Sequence, residues 1–304
     1  MAAKLIQPTD TIEVSQVAAL LYGQPGSRKS SLAQTAEAPI TFAFDPGIYR
    51  AFGRKAAVLF DSWSDVLSFD ASPYRTIVVD TIGMCLDKLS LAIIESDAKA
   101  GNRLGGLTLQ GYGKLKAQFA NWVAGVRAKG QDLVFIAHEK AERFGDEVYY
   151  CPDIVGGSYN TLMNHCDIVG YMHFENGKRV LDFAPTDRWM AKVPPCGWTQ
   201  IALPDFEQRP AFLGELLAEA KASMGRVSAE SAKVASVVDE WELLLTHKDM
   251  DLFQFNAAVG DISKMKAGPD KTQVWNLTLK IGKDRGWKYS QKTRKFEAPE
   301  EVPA

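Results

Sequence analysis

The sequence predicts an α/β fold, a mostly parallel sheet flanked by helices, followed by a small helical C-terminal domain. Three observations carry this. Short runs such as Thr76–Asp80 (TIVVD) and Asp132–Ala137 (DLVFIA) are apolar without alternation, the pattern of strands buried on both faces. Helical patterns fall between such runs, as crossovers between parallel strands require. After residue 210 the strand signals stop and only helical patterns follow.

In chain order, residues 1–16 form a lead-in, either an edge strand or a flap over a bound base. Val17–Tyr22 is the first core strand, and a helix follows at Ser30–Glu37. Ile40–Asp45 is a second strand ended by Pro46-Gly47, Ala57–Phe60 a third, and Ser64–Phe69 a short helix. The strand Thr76–Asp80 leads to helices at Met84–Lys99 and Leu109–Lys129, with a Gly-rich mobile loop between them at Ala100–Leu107. Beyond the strand Asp132–Ala137, a strand at Glu147–Cys151 and a helix at Ser158–His165 are expected. Asp167–Phe174 and Arg179–Ala184 flank Asn176-Gly177, a hairpin signal that would extend the sheet antiparallel. Pro194, Pro195, Pro204 and Pro210 crowd one segment, which divides the chain into a core over 1–205 and a helical domain over 210–304. Helices are expected there at Phe212–Met224, Ala229–His247, Leu252–Ile262 and Lys271–Arg285, before a disordered tail, EAPEEVPA.

With 304 residues, 46% hydrophobic and 24% charged, the chain has an ordinary globular balance and enough length for a full core. A net charge of −2 means that any nucleic-acid binding must come from a local patch. Cys85, Cys151, Cys166 and Cys196 show no metal-ligand spacing and read as reduced thiols. No secretory signal is visible and no apolar run approaches the ~20 residues that cross a bilayer, so a cytoplasmic protein is expected, with no membrane partner.

The segment Gly23-Gln24-Pro25-Gly26-Ser27-Arg28-Lys29-Ser30-Ser31 joins the first strand to the first helix. It matches the phosphate-loop pattern G-x-x-x-x-G-K-[ST] except that Arg28 stands where the last Gly is usual. Loop amides and a helix start supply donors to polyphosphate oxygens without large side chains. Lys29 would reach the β- and γ-phosphates of ATP, and the Ser30 hydroxyl would ligate Mg²⁺, a hard cation that takes oxygen ligands. An Arg at position 28 is tolerable if its side chain points to solvent and its backbone is helical. The bland alternative is a Gly-rich turn before an ordinary helix.

Asp80, at the end of TIVVD, would hold Mg²⁺ through water, or else cap the next helix. His138, ending VFIAH, is a candidate γ-phosphate sensor or a plain strand-end histidine, and Glu139 beside it is either a base or solvated. Asp45 is the candidate to orient the attacking water, against a role as turn former. Arg188 and Lys192 are candidates to stabilise transition-state charge on a neighbouring subunit's nucleotide, or are simply solvated cations. The stretch 261–296 carries ten cations against Asp261, Asp270 and Asp284, a net of about +7, with aromatics interleaved. Lys280, Lys283, Arg285, Trp287, Lys288, Lys292 and Arg294 thus form a candidate single-stranded nucleic-acid surface. The competing reading makes these aromatics the core of a small domain; Trp275 is the one expected inside.

GQPGSRKSSL, TIVVDTIG, LQGYGKLK and LVFIAHEK, in that order and spacing, resemble phage-encoded RecA-like P-loop ATPases of the single-strand-annealing type. The resemblance covers about residues 15–195. It implies a RecA-like core, ATP and Mg²⁺, single-stranded DNA, filaments or rings of identical subunits, a phage single-strand-binding protein as partner, and the cytoplasm of a bacterial host. Under it Lys29 and Ser30 match the phosphate and Mg²⁺ residues, Asp80 the second-motif carboxylate and His138 the sensor. Two positions depart from the pattern: Arg28, and Asp45-Pro46-Gly47, where such proteins usually carry a Glu. The functions to separate are an ATPase acting on single strands in recombination or replication, a nucleotide-binding scaffold with little or no hydrolysis, and a small-molecule kinase. The lack of an Arg-rich lid speaks against the kinase.

Overall fold

The computed structural model describes residues 5–45, 47, 53–154 and 158–299. Contacts divide the chain into a core unit, 14–224, and a second unit made of 225–304 with the N-terminal 1–13. The sequence puts its boundary at the proline cluster, 205–210; the contacts put theirs at 224/225, inside one long helix.

The core holds a sheet in the order β3-β2-β4-β5-β1-β7-β8-β9. Its strands are β1 (Ala18–Gly23), β2 (Pro39–Ala43), β3 (Ala57–Leu59), β4 (Thr76–Asp80), β5 (Asp132–Phe144), β7 (Ile168–Glu175), β8 (Lys178–Asp182) and β9 (Gln200–Ala202). A further strand, β6 (Glu147–Pro152), pairs antiparallel with the far half of β5. The strands β3, β2, β4, β5, β1 and β7 run parallel, and β8 returns antiparallel through the turn at Asn176 and Gly177, both in the left-handed region. The helices are α1 (Lys29–Ala33), α2 (Trp63–Ser68), α3 (Ile82–Ser96), α4 (Leu109–Ala128), α5 (Ser158–His165) and the first part of α6 (Phe212–Leu245).

The unalternating strands do what their composition requires, burying alternate side chains on opposite faces. Leu20, Tyr22, Ile77, Val79, Leu133 and Phe135 pack with Leu86, Leu89, Phe119 and Val123 of α3 and α4. Ala19, Leu21, Val78, Val134 and Ile136 pack with Leu32, Leu213 and Leu217 on the other face. Because β5 lies between β1 and β4, register aligns Gly23 with His138, and Asp80 with Ile136. The C-terminal ends of β1 and β4 therefore open beside residues 136–138 of β5.

Several boundaries differ from the sequence reading. β5 runs on to Phe144, seven residues past Ala137, because β6 pairs with it through a turn at Gly145. α1 spans five residues only. The helices expected at Phe212–Met224 and Ala229–His247 are one 34-residue helix; Gly225 and Ser228 fall within it without breaking it. Of the edge strand or flap expected over 1–16, the described residues 5–16 form no strand, and 5–13 belong with the second unit, where the Ile12 amide donates to Ser228 Oγ at 2.7 Å.

The second unit contains the rest of α6, α7 (Leu252–Lys264), α8 (Pro269–Asp284) and a hairpin of β10 (Lys288–Ser290) with β11 (Lys295–Glu297). Asp251 caps α7 in a reciprocal box with Gln254. Phe255, Val259, Ile262, Val274, Ile281 and Phe296 form its core. The hairpin is absent from the sequence reading, which has helices alone here. Pro46 and the last five residues of the expected disordered tail, 300–304, lie outside the described residues.

Candidate nucleotide site

β1 ends at Gly23 because β7 leaves no room for a side chain: a Cβ there would stand 2.1 Å from the Met172 carbonyl oxygen. The chain then turns, with the Ser27 amide donating to Gln24 O at 3.2 Å. Gly26 and Arg28 both take left-handed backbone, at φ 79° and 73°. The Arg28 side chain is exposed, as the sequence reading requires, but its backbone is not helical. A left-handed conformation is the physical reason that glycine is usual there. Arg28 O accepts from the Leu32 amide at 2.9 Å, which starts the first turn of α1.

Lys29 is folded back into this loop and only 5% exposed. Its ammonium donates to Gly23 O (2.8 Å), Gln24 O (2.7 Å) and Ser27 Oγ (3.2 Å). Burial brings its pKa down to about 8, against the opposing pull of Asp80 and Glu139. Asp80 sits at the tip of β4, largely buried, and burial pushes its carboxyl upward; a hydrogen bond from the Ser30 hydroxyl and the charges of Lys29 and His138 oppose that, while Asp45 adds to it. The residue at the N-cap of α3 is Thr81, not Asp80, so the capping alternative has no support.

Lys29, Ser30, Ser31, Asp45, Asp80 and His138 line one cleft of about 480 Å³, together with Pro25, Gly26 and Arg28. It lies outside the carboxyl ends of the strands, where parallel α/β sheets bind ligands. Asp45 accepts from the Gly47 amide as a turn former and still lines the cleft, so the two readings of that residue are compatible. Glu139 does not line the cleft and accepts from the Tyr171 hydroxyl at 3.0 Å, although its charge is felt by Lys29. Tyr171 has no motif around it; only the pairing of β7 with β1 brings it near. Thr81 and Ile136 also line the cleft, and were legible only as neighbours of Asp80 and His138.

Other candidates lie elsewhere. Lys192 donates to Cys166 O at 2.7 Å, at the amino end of β7, and so is engaged within its own chain. Arg188 is exposed beside β6, its carbonyl accepting from the Tyr150 amide at 2.7 Å. Neither lines the cleft.

In the second unit the candidate nucleic-acid residues split. Arg285 donates to Leu245 O (3.0 Å), His247 O (2.9 Å) and Met250 O (2.5 Å), satisfying carbonyls at the end of α6 and in the turn after it. Its guanidinium stands 5.3 Å from the Trp287 ring centre, and Trp287 in turn packs on Phe255 at 5.0 Å. Phe296 packs on Phe255 and Tyr289, and Tyr289 on Trp275. These aromatics pack in or against the core of the unit, beside Leu245, Val259, Ile262, Val274 and Ile281. Arg285 and Trp287 are thus half-buried and engaged within the unit. Lys280, Lys283, Lys288, Lys292 and Arg294 remain exposed.

Among the described residues no three or more His, Cys, Asp and Glu side chains gather as a metal cluster, and no helix is long and apolar enough to cross a membrane. Ser30 and Asp80 together offer two oxygen ligands, a donor set that fits Mg²⁺ beside phosphates and water.

No curated protein matches the sequence. Among solved structures, a KaiC-like protein from the hyperthermophilic archaeon Pyrococcus horikoshii is similar over 62% of this chain and 89% of its own, at 14% identity and a TM-score of 0.36. The AAA domain model AAA_24 matches residues 15–194, which takes in every strand from β1 to β8 and the whole cleft. With a mostly parallel sheet, a phosphate loop after β1 and a carboxylate at the tip of β4, the chain has a RecA-like P-loop fold and belongs to this AAA domain family of nucleotide-binding ATPases.

Proposed function

We propose that the protein binds ATP with Mg²⁺ in this cleft and hydrolyses it while acting on single-stranded DNA, in recombination or replication of a phage in its host's cytoplasm. The observation that carries the nucleotide half is the gathering of Lys29, Ser30 and Asp80 on one cleft at the carboxyl edge of the sheet. In this reading the loop amides and Lys29 would hold the phosphates, Ser30 would ligate Mg²⁺ and Asp80 would hold it through water; the ion would supply charge neutralisation at the phosphate oxygens. His138 meets the γ-phosphate end, and Asp45 orients water. Glu139 is held by Tyr171 at the side of the loop.

The DNA half rests on the exposed cations Lys280, Lys283, Lys288, Lys292 and Arg294. Copies of the chain would assemble as a ring or filament, with Arg188 reaching a neighbour's nucleotide, and a phage single-strand-binding protein would share the strand. A second reading, a nucleotide-binding scaffold with little turnover, is favoured by one observation: Arg28 lines the cleft in left-handed backbone where glycine is usual.

Phosphate release with and without single-stranded DNA tests the proposal. DNA-stimulated turnover that Lys29→Ala abolishes is expected. ATP binding without turnover under any condition would leave the scaffold reading, and failure to bind ATP·Mg²⁺ would end both.

A further inference from the structure

The second unit is electrically divided along its sequence. From Gly225 to Asp261 it carries seven carboxylates against three cations, whereas the stretch that follows is strongly basic. The acidic half also holds an apolar groove of about 610 Å³ between the end of α6 and α7. Trp241, Leu244 and Phe253 line it together with the small residues Ala257 and Ala258. Phe253 is 83% exposed, on the first turn of a helix whose core-facing residue is its neighbour Phe255, fully buried. An aromatic ring so placed contributes almost nothing to its own fold and is available as a contact.

Charge decides the class of occupant. Asp249, just before α7, and Asp261, in its last turn, both line the groove. Phe253, Ala257 and Asp261 are four residues apart, so they share one face of α7 over about 12 Å, two helical turns. The exposed pairs of these carboxylates with His247 (3.9 Å) and Lys264 (2.9 Å) are weak enough to yield to a better partner. A polyphosphate strand would be repelled here.

We infer that this groove is a docking site for a partner protein's amphipathic helix, about two turns long, with bulky aliphatic anchors and Lys or Arg at both ends. The bulky anchor sits over Ala257 and Ala258 between Phe253 and Trp241, and the terminal cations meet Asp249 and Asp261. The unit thus serves two clients on opposite charge: nucleic acid on its basic stretch, protein on its acidic one. The docking inference stands independently of the nucleotide site.

The test uses the full chain and a fluorescein-labelled peptide of about 14 residues, built of Leu, Ala and Lys with Leu at i, i+3 and i+7 and Lys at both ends. Anisotropy should report saturable binding that weakens as salt rises from 0.1 to 0.5 M. Phe253→Ala and Ala257→Trp each alter an exposed side chain and leave the fold intact; each should weaken binding roughly thirtyfold. The same peptide with Glu for Lys should not bind, and ATP turnover should be unaffected by either substitution. Equal binding to wild type and both variants, or no binding at all, would overturn the inference. So would a change confined to the protein's own oligomeric state, which would give the groove to a second copy.

Discussion

Lys29 sets a pH dependence that can be worked in advance. In the free protein its amine is buried among carbonyl oxygens, with a pKa near 8 instead of 10.5. A bound triphosphate would restore the charged form, raising that pKa again. The sign follows: below pH 8 the free site already carries the proton, and above it binding must take one up. Between pH 7 and pH 9 the affinity for ATP·Mg²⁺ should therefore fall about tenfold, or about 1.4 kcal/mol. Stability of the nucleotide-free protein runs the other way. Its folded pKa is depressed, so the unfolded chain binds more protons between about pH 8 and 10.5, and this group makes the free fold more stable as pH rises through that window. Calorimetry with a non-hydrolysable analogue, repeated in buffers of different ionisation enthalpy, would measure both affinity and proton uptake. At pH 8.5 uptake approaching one proton is expected. An affinity flat from pH 7 to 9 with no proton uptake would refute the argument, because it would mean that Lys29 is charged throughout.

Arg28→Gly should raise the melting temperature of the free protein by a degree or so: relief of a left-handed non-glycine residue, worth about 1–2 kcal/mol, outweighs the ~0.5–1 kcal/mol entropy penalty of Gly. A lower melting temperature would show that the Arg28 side chain holds the loop. Arg285→Ala should destabilise the second unit by roughly 2 kcal/mol, read by proteolysis between α6 and α7, with Arg285→Lys recovering only part. Unchanged protection would mean that water replaces the guanidinium. Replacing Lys288, Lys292 and Arg294 together by Ala should flatten the salt dependence of single-stranded DNA binding by about 2 in slope, at ~0.7 per phosphate contact; an unchanged slope would remove this face from the DNA reading.

The parallel sheet was legible because its signal is local and one-dimensional. An unbroken apolar run such as TIVVD admits few places other than a strand covered on both sides, and the residue after such a run falls at the sheet's carboxyl edge. That is why Asp80 and His138 can be set near the phosphate loop from the sequence alone. What failed was whatever depended on partners remote in sequence. The far half of β5 reads EKAERF, too polar for a strand, until β6 supplies its ladder. Gly225 reads as a stop, but the helix through it continues. Arg285 counts as a cation in any tally of charge; only the fold shows three carbonyl oxygens around it. The left-handed turn at Arg28 was hidden because the residue that normally betrays it, glycine, is missing.

One strand connects the cleft to the outside. β5 presents His138 at the cleft and then continues six residues to Phe144, which is exposed at the hairpin tip. Between them the ladder with β6 is unbroken from Glu139↔Pro152 to Phe144↔Glu147. A hydrogen-bonded ribbon resists stretching far more than it resists tilting. A rotation of the peptide at His138 would therefore tilt the ladder as one piece, against the hold that Tyr22, Arg188 and Met190 keep on Tyr150 through hydrogen bonds.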